Sequence, residues 1–80
     1  MFEGFELKIV LDPFSILFVG KSGILKRVHC PFYVRCRSPV DSYILNQQLI
    51  VDMVSTDRWE GIKYIIKGKS YHHSLFEILN

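Results

Sequence analysis

The chain has 80 residues, which suffices for one domain near the lower size limit at which a single hydrophobic core sustains itself. Its hydrophobic fraction of 49% excludes a disordered chain, and its net charge of +2, ten basic against eight acidic residues, allows only weak long-range attraction to nucleic acid. So apolar a composition in so short a chain predicts that some hydrophobic surface is covered by a partner or a second copy. The longest run without a charge, Ser42–Val51, has ten residues and contains Asn46, Gln47 and Gln48, too short and too polar to span a bilayer. The opening residues Met1-Phe2-Glu3-Gly4-Phe5-Glu6 are acidic and have no basic stretch ahead of an apolar core, so the expectation is a cytoplasmic protein with no membrane insertion.

In chain order, Phe5–Leu11 alternates apolar and polar residues and predicts a strand with Phe5, Leu7, Ile9 and Leu11 facing inward. Asp12-Pro13 ends it. Phe14–Val19 is a second apolar strand, Gly20–Gly23 a turn, and Ile24–Val28 a third strand with Lys26 and Arg27 adjacent. Phe32–Arg37 alternates again, with Phe32, Val34 and Cys36 on one face and Tyr33, Arg35 and Arg37 on the other. Ser38–Ser42 reads as a loop, and Tyr43–Gln48 fits either a helical turn or an extended segment. Leu49–Ser55 is β-rich, and Thr56–Gly61 makes a polar turn. Ile62–Lys67 is a strand with Tyr64 and Ile66 opposite Lys63, Ile65 and Lys67. Gly68-Lys69 closes a hairpin into Ser70–His72, and Ser74-Leu75-Phe76 fits a 3₁₀ turn before a last strand at Glu77–Leu79. No segment keeps a helical period beyond two turns. The pattern predicts an all-β fold, a small barrel or sandwich forming a single domain over residues 1–80.

The tripeptide Gly-Lys-Ser occurs twice, at 20–22 and 68–70. A phosphate-binding loop needs a further glycine five positions earlier, where its backbone wraps around the phosphate. Ser15 and Lys63 occupy those positions. Both tripeptides therefore read as hairpin turns, in which glycine supplies positive φ without strain.

Cys30 and Cys36 lie roughly 20 Å apart if the intervening segment is extended, at about 3.3 Å per residue. A disulfide needs Cα atoms within about 7 Å. Two reduced, mostly buried thiols are expected. His29, Cys30, Cys36, His72 and His73 form no compact zinc-ligand spacing, and His72 and His73 would point to opposite faces of a strand, so no metal or other cofactor is expected. The acids closest in sequence, Asp52, Asp57 and Glu60, offer no defensible catalytic pair, and no nucleophile–base order stands out.

From residue 33 onward, Val34-Arg35-Cys36, Leu49-Ile50-Val51, Tyr64–Tyr71 and Ser74–Ile78 follow one another in an order that resembles small SH3-like barrel proteins common in bacteria and their phages. In those proteins a V-x-C strand, a Y-x-I strand, a glycine turn, an aromatic residue and an S-x-F-E-(I/V) turn recur. The resemblance covers residues 33–79, and residues 1–32 have no counterpart in it. It implies a five-stranded SH3-like barrel with an N-terminal β-hairpin extension, and it implies no chemistry, because that scaffold hosts many functions.

The functional expectation is a non-enzymatic binding module, or small subunit, that engages a protein partner or a second copy of itself. Contact is expected through the apolar N-terminal strands, Tyr33 and Trp59, the last a rigid aromatic in a polar turn that serves either as an anchor or as a lid over one end of the barrel. The alternative is a nucleic-acid-binding barrel. If their strands are neighbours, Tyr33, Arg35 and Arg37 join Lys63, Lys67 and Lys69 in a basic strip able to track a phosphate backbone. A third reading is an obligate homo-oligomer that sequesters a small ligand.

Overall fold

Period-two patterning becomes nine short strands in the computed structural model, which describes residues 7–20 and 22–79. They are β1 (Leu7–Asp12), β2 (Ser15–Val19), β3 (Leu25–His29), β4 (Phe32–Cys36), β5 (Gln48–Val51), β6 (Met53–Asp57), β7 (Gly61–Ile66), β8 (Lys69–His72) and β9 (Phe76–Ile78), with a 3₁₀ turn at His73–Leu75. Among the described residues there is no α-helix, and no helix is long and apolar enough to cross a membrane. The strands form three antiparallel sheets, ordered β1-β2-β3, β5-β4-β9 and β6-β7-β8.

Local chemistry sets the turns. Asp12 accepts from the Phe14 amide at 2.8 Å and from Ser15 Oγ at 3.0 Å, clamping the Pro13-Phe14 reversal between β1 and β2. Those two bonds, the amide first, hold its carboxyl below the ordinary aspartate value. Between β7 and β8 the reversal residues are Lys67 and Gly68, at φ 52° and 77°, the doubly left-handed geometry that matches the twist of a hairpin. The turn thus lies one residue earlier than Gly68-Lys69, because Ile66 and Lys69 already close the ladder. Both Gly-Lys-Ser tripeptides fall at hairpin connections; Lys21 of the first lies outside the described residues.

The β-rich segment predicted at Leu49–Ser55 is two strands in two different sheets. Only Asp52 separates β5 from β6, and its amide donates to the Ile65 carbonyl at 2.9 Å, so pairing to β7 begins at the corner. The first hairpin is tied to this region by the Val54 amide, which donates to the Pro13 carbonyl at 2.8 Å.

The core lies where the three sheets meet. Tyr64, with no exposed surface, sits edge-on to Phe32 at a ring separation of 5.5 Å and lies 6.3 Å from Phe76; Phe76 meets Tyr71 at 5.9 Å. Val34, Cys36, Val51, Val54 and Ile66 fill the space around these rings. The N-terminal sheet contributes Ile16 and Val28, register partners on β2 and β3, with Val10 packed against them.

That sheet turns a different face inward from the one its alternation predicts. Leu7, Ile9 and Leu11 are exposed, whereas Val10 packs on the core and Lys8 is half-buried; Phe5 lies outside the described residues. Both faces of β1 carry hydrocarbon, and the core had already recruited Ile16 and Val28, whose side of the sheet in register is that of Lys8 and Phe18. The face closing the core is set by these partners and not by β1's own pattern.

Urea denaturation checks this orientation. Phe76→Ala is expected to lose about 3–5 kcal/mol, the range for emptying a buried aromatic site. Ile9→Ser on the outward face should cost about 0.5 kcal/mol or less. A large loss for Ile9→Ser would place β1 the other way round.

Candidate interaction surface

Every residue expected on the surface face of β4 is there. Phe32, Val34 and Cys36 are buried, and Tyr33 and Arg35 stand out, with Arg37 exposed just past the strand end. Tyr33 is opposite Ile50 in register, and the two, both about half-exposed, make an aromatic–aliphatic pair on the outer side of the β5-β4-β9 sheet. On β7, Tyr64 and Ile66 are buried while Lys63 and Ile65 face away, as the alternation requires.

The two strands are not neighbours. β4 is bordered by β5 and β9, and β7 by β6 and β8, so Tyr33, Arg35 and Arg37 do not join the lysines in a continuous strip. Three of the five cations are also committed locally. Arg35 forms an ion pair with Glu77 across the β4–β9 ladder, and Lys63 with Glu60 at the β6–β7 turn. Lys69 Nζ lies 2.8 Å from Asp41, whose same oxygen accepts from Tyr71 Oη at 2.8 Å. This last set ties the 38–43 loop to β8; Lys69 and then Tyr71 draw the Asp41 carboxyl below its ordinary value, and Asp41 in turn raises both donors. Sequence spacing could not show these pairings, because their partners lie 28 and 42 positions away in two of the three cases.

Trp59 is 85% exposed at the β6–β7 turn, so it does not fold back as a lid. Asp57 shapes that turn by accepting from the Trp59 and Glu60 amides at 2.7 and 3.1 Å, and Gly61 at φ 85° completes it. Asp57 and Glu60 are thereby engaged in turn and ion-pair contacts.

The larger exposed feature is the outward face of β1-β2-β3. Leu7 pairs with Val19 and Ile9 with Leu17, and Val19 pairs in turn with Leu25, so these five side chains share one side of the sheet. Leu7, Ile9 and Leu25 are exposed and Leu17 and Val19 half-buried. Arg27, opposite Leu17 in register and exposed, lies on the same side, so the outward face is an aliphatic patch beside one cation.

Both cysteines are free thiols, Cys36 buried and Cys30 half-buried, and burial pushes the Cys30 thiol up. Among the described residues no group of three or more His, Cys, Asp or Glu is placed to hold a metal ion. His72 and His73 do not point to opposite faces: their rings lie 4.7 Å apart. The strand ends at His72, whose Nδ1 caps the 3₁₀ turn by accepting from the Ser74 amide, and the turn cancels the alternation.

His73 is held neutral by its surroundings. Burial comes first, then the charges of Lys8 and His72, and together they bring its pKa down to about 4. Lys8 Nζ donates to His73 Nδ1 at 3.2 Å, a contact between residues 65 positions apart.

Comparison with protein-family models, with curated proteins and with solved structures gives no match to this chain.

The depressed His73 value carries a pH signature. Between the ordinary histidine pKa near 6.5 and about 4, the unfolded chain binds the proton that the folded one refuses. Stability is therefore expected to fall as pH drops through that window and to be insensitive to His73 above it. Chemical denaturation from pH 7 to 4.5 should show a shallower loss in His73→Gln, and an unchanged slope would reject the assignment.

Proposed function

We propose that the protein is a non-enzymatic β module, or small subunit, that engages a protein partner through the outward face of its β1-β2-β3 sheet. The observation that carries this reading is the set Leu7, Ile9, Leu17, Val19 and Leu25, five aliphatic side chains on the side of the sheet turned away from the core. Covering such a face removes hydrocarbon from water at about 25 cal/mol per Å². Trp59 and the Tyr33–Ile50 pair supply further anchors of the kind interfaces use. The two free thiols fit a reducing compartment, and we place the module in the cytoplasm.

For residues 33–79 we infer an SH3-like arrangement. The order β9-β4-β5 followed by β6-β7-β8, the single-residue corner at Asp52 and the 3₁₀ turn leading into β9 support it. The β1-β2-β3 sheet is then an N-terminal extension dedicated to contact. The nucleic-acid alternative draws on Arg35, Arg37, Lys63, Lys67 and Lys69. It is weakened by the separation of their strands and by the carboxylates already paired to three of them.

The test is a capture experiment from the native lysate with wild type and Ile9→Glu/Leu25→Glu. A stoichiometric protein band that survives nuclease and moderate salt, and disappears in the double variant while its melting temperature holds within a few degrees, is the expected result. Retention by the double variant would reject this face. Loss of all bound material on nuclease or added salt would instead favour the cationic residues. Sedimentation of the purified protein identifies the case in which the partner is a second copy.

A further inference from the structure

The ladder of the N-terminal sheet stops at β3. The Cys30 amide donates to the Phe14 carbonyl at 2.8 Å, in the register of the β2–β3 pairs. In an antiparallel ladder alternate residues turn their amide and carbonyl toward the neighbouring strand. Lys26, Val28 and Cys30 therefore face β2, whereas Leu25, Arg27 and His29 direct their backbone groups outward, where no described strand pairs with them. Those three residues are exposed, and so is Lys26. The opposite edge of the sheet, β1, lies against β6. We propose that the open β3 edge takes up an extended acidic segment of a protein partner as a fourth strand.

Backbone groups supply the attachment and side chains the selection. Each outward residue offers one donor and one acceptor, the template to which another chain adds. Lys26 and Arg27 point to opposite sides of the sheet, and among the described residues no carboxylate forms an ion pair with either. Asp12, whose oxygens accept from the Phe14 amide and Ser15 Oγ, senses Arg27 only from beyond ion-pair distance. Leu25 shares the side of Arg27, and Val28 that of Lys26. An added strand thus meets a leucine, a lysine, an arginine and a valine in turn. The complementary pattern is aliphatic, acid, acid, aliphatic, the same read in either direction. A second copy does not fit. The antiparallel register that uses all three outward residues sets Arg27 opposite its own copy, and like charges directly opposite destabilise a pair. The inference rests on the reading of this sheet as the contact element and extends it, because Leu25 and Arg27 belong to the edge and to the outward face alike.

NMR titration of the full chain tests it with three end-blocked hexapeptides: Thr-Val-Glu-Glu-Val-Thr, its counterpart Thr-Val-Lys-Lys-Val-Thr, and the acidic peptide N-methylated at both glutamates. Saturable binding of the acidic peptide is expected, with amide exchange slowed at Leu25, Arg27 and His29; Lys26 and Val28 are protected beforehand by β2. The lysine and N-methylated peptides should each bind weaker by about tenfold or more. Arg27→Glu should weaken the acidic peptide and strengthen the lysine one, a gain that misfolding does not produce. Ile9→Glu, on the face but two strands from the edge, should leave the peptide affinity unchanged. Absence of saturable binding by the acidic peptide overturns the proposal, as does equal binding of the N-methylated form, which would show attraction by charge without a ladder. Should the acidic peptide fail while Ile9→Glu/Leu25→Glu still loses the lysate partner, the edge is rejected and the face stands. Peptide binding at β3 alongside a lysate partner retained by that double variant supports the edge and rejects the face.

Discussion

The contact on which the other features depend is the edge-on packing of Tyr64 against Phe32, with Phe76 also beside the Tyr64 ring. These rings come from β7, β4 and β9, so one cluster joins the β6-β7-β8 sheet to the β5-β4-β9 sheet. Aromatic pairs of this kind contribute about 0.5–1.5 kcal/mol each beyond the area they bury. More important in so small a chain, they enforce the angle between the sheets. Asp52 accommodates that angle by letting one extended segment leave the first sheet and enter the second.

The N-terminal sheet is attached to this frame and does not complete its centre. It delivers Ile16, Val28 and Val10 to the core and anchors its first turn by the bond from Val54 to Pro13. The cost of this attachment is the outward aliphatic face. A three-stranded sheet with aliphatic side chains on both sides is unusual as a free surface, which is the ground of the docking role proposed for it.

Charge is divided in the same geometric way. On the outer faces, Arg35, Lys63 and Lys69 are each matched by a carboxylate and so present little net field. At the junction of β1 and the 3₁₀ turn, burial first and then the charges of Lys8 and His72 keep the imidazole of His73 neutral.

Much of this was readable in the residues. The alternation of Phe32–Arg37 and of Ile62–Lys67 placed buried and exposed side chains correctly, because each of those strands has apolar residues on one face only or nearly so, and the pleat then leaves a single solution. Glycines marked the hairpins, since positive φ is a local demand met by local sequence. The orientation of β1 was not readable: with Leu7, Ile9 and Val10 on its two sides, either face satisfies a strand's own pattern, and the packing of Ile16 and Val28 chose between them. Nor could local pattern reveal the split at Asp52, the separation of Arg35 from Lys63, or the meeting of Lys8 with His73. Those are relations between residues distant along the chain, and they come into being only when three sheets close on a common core.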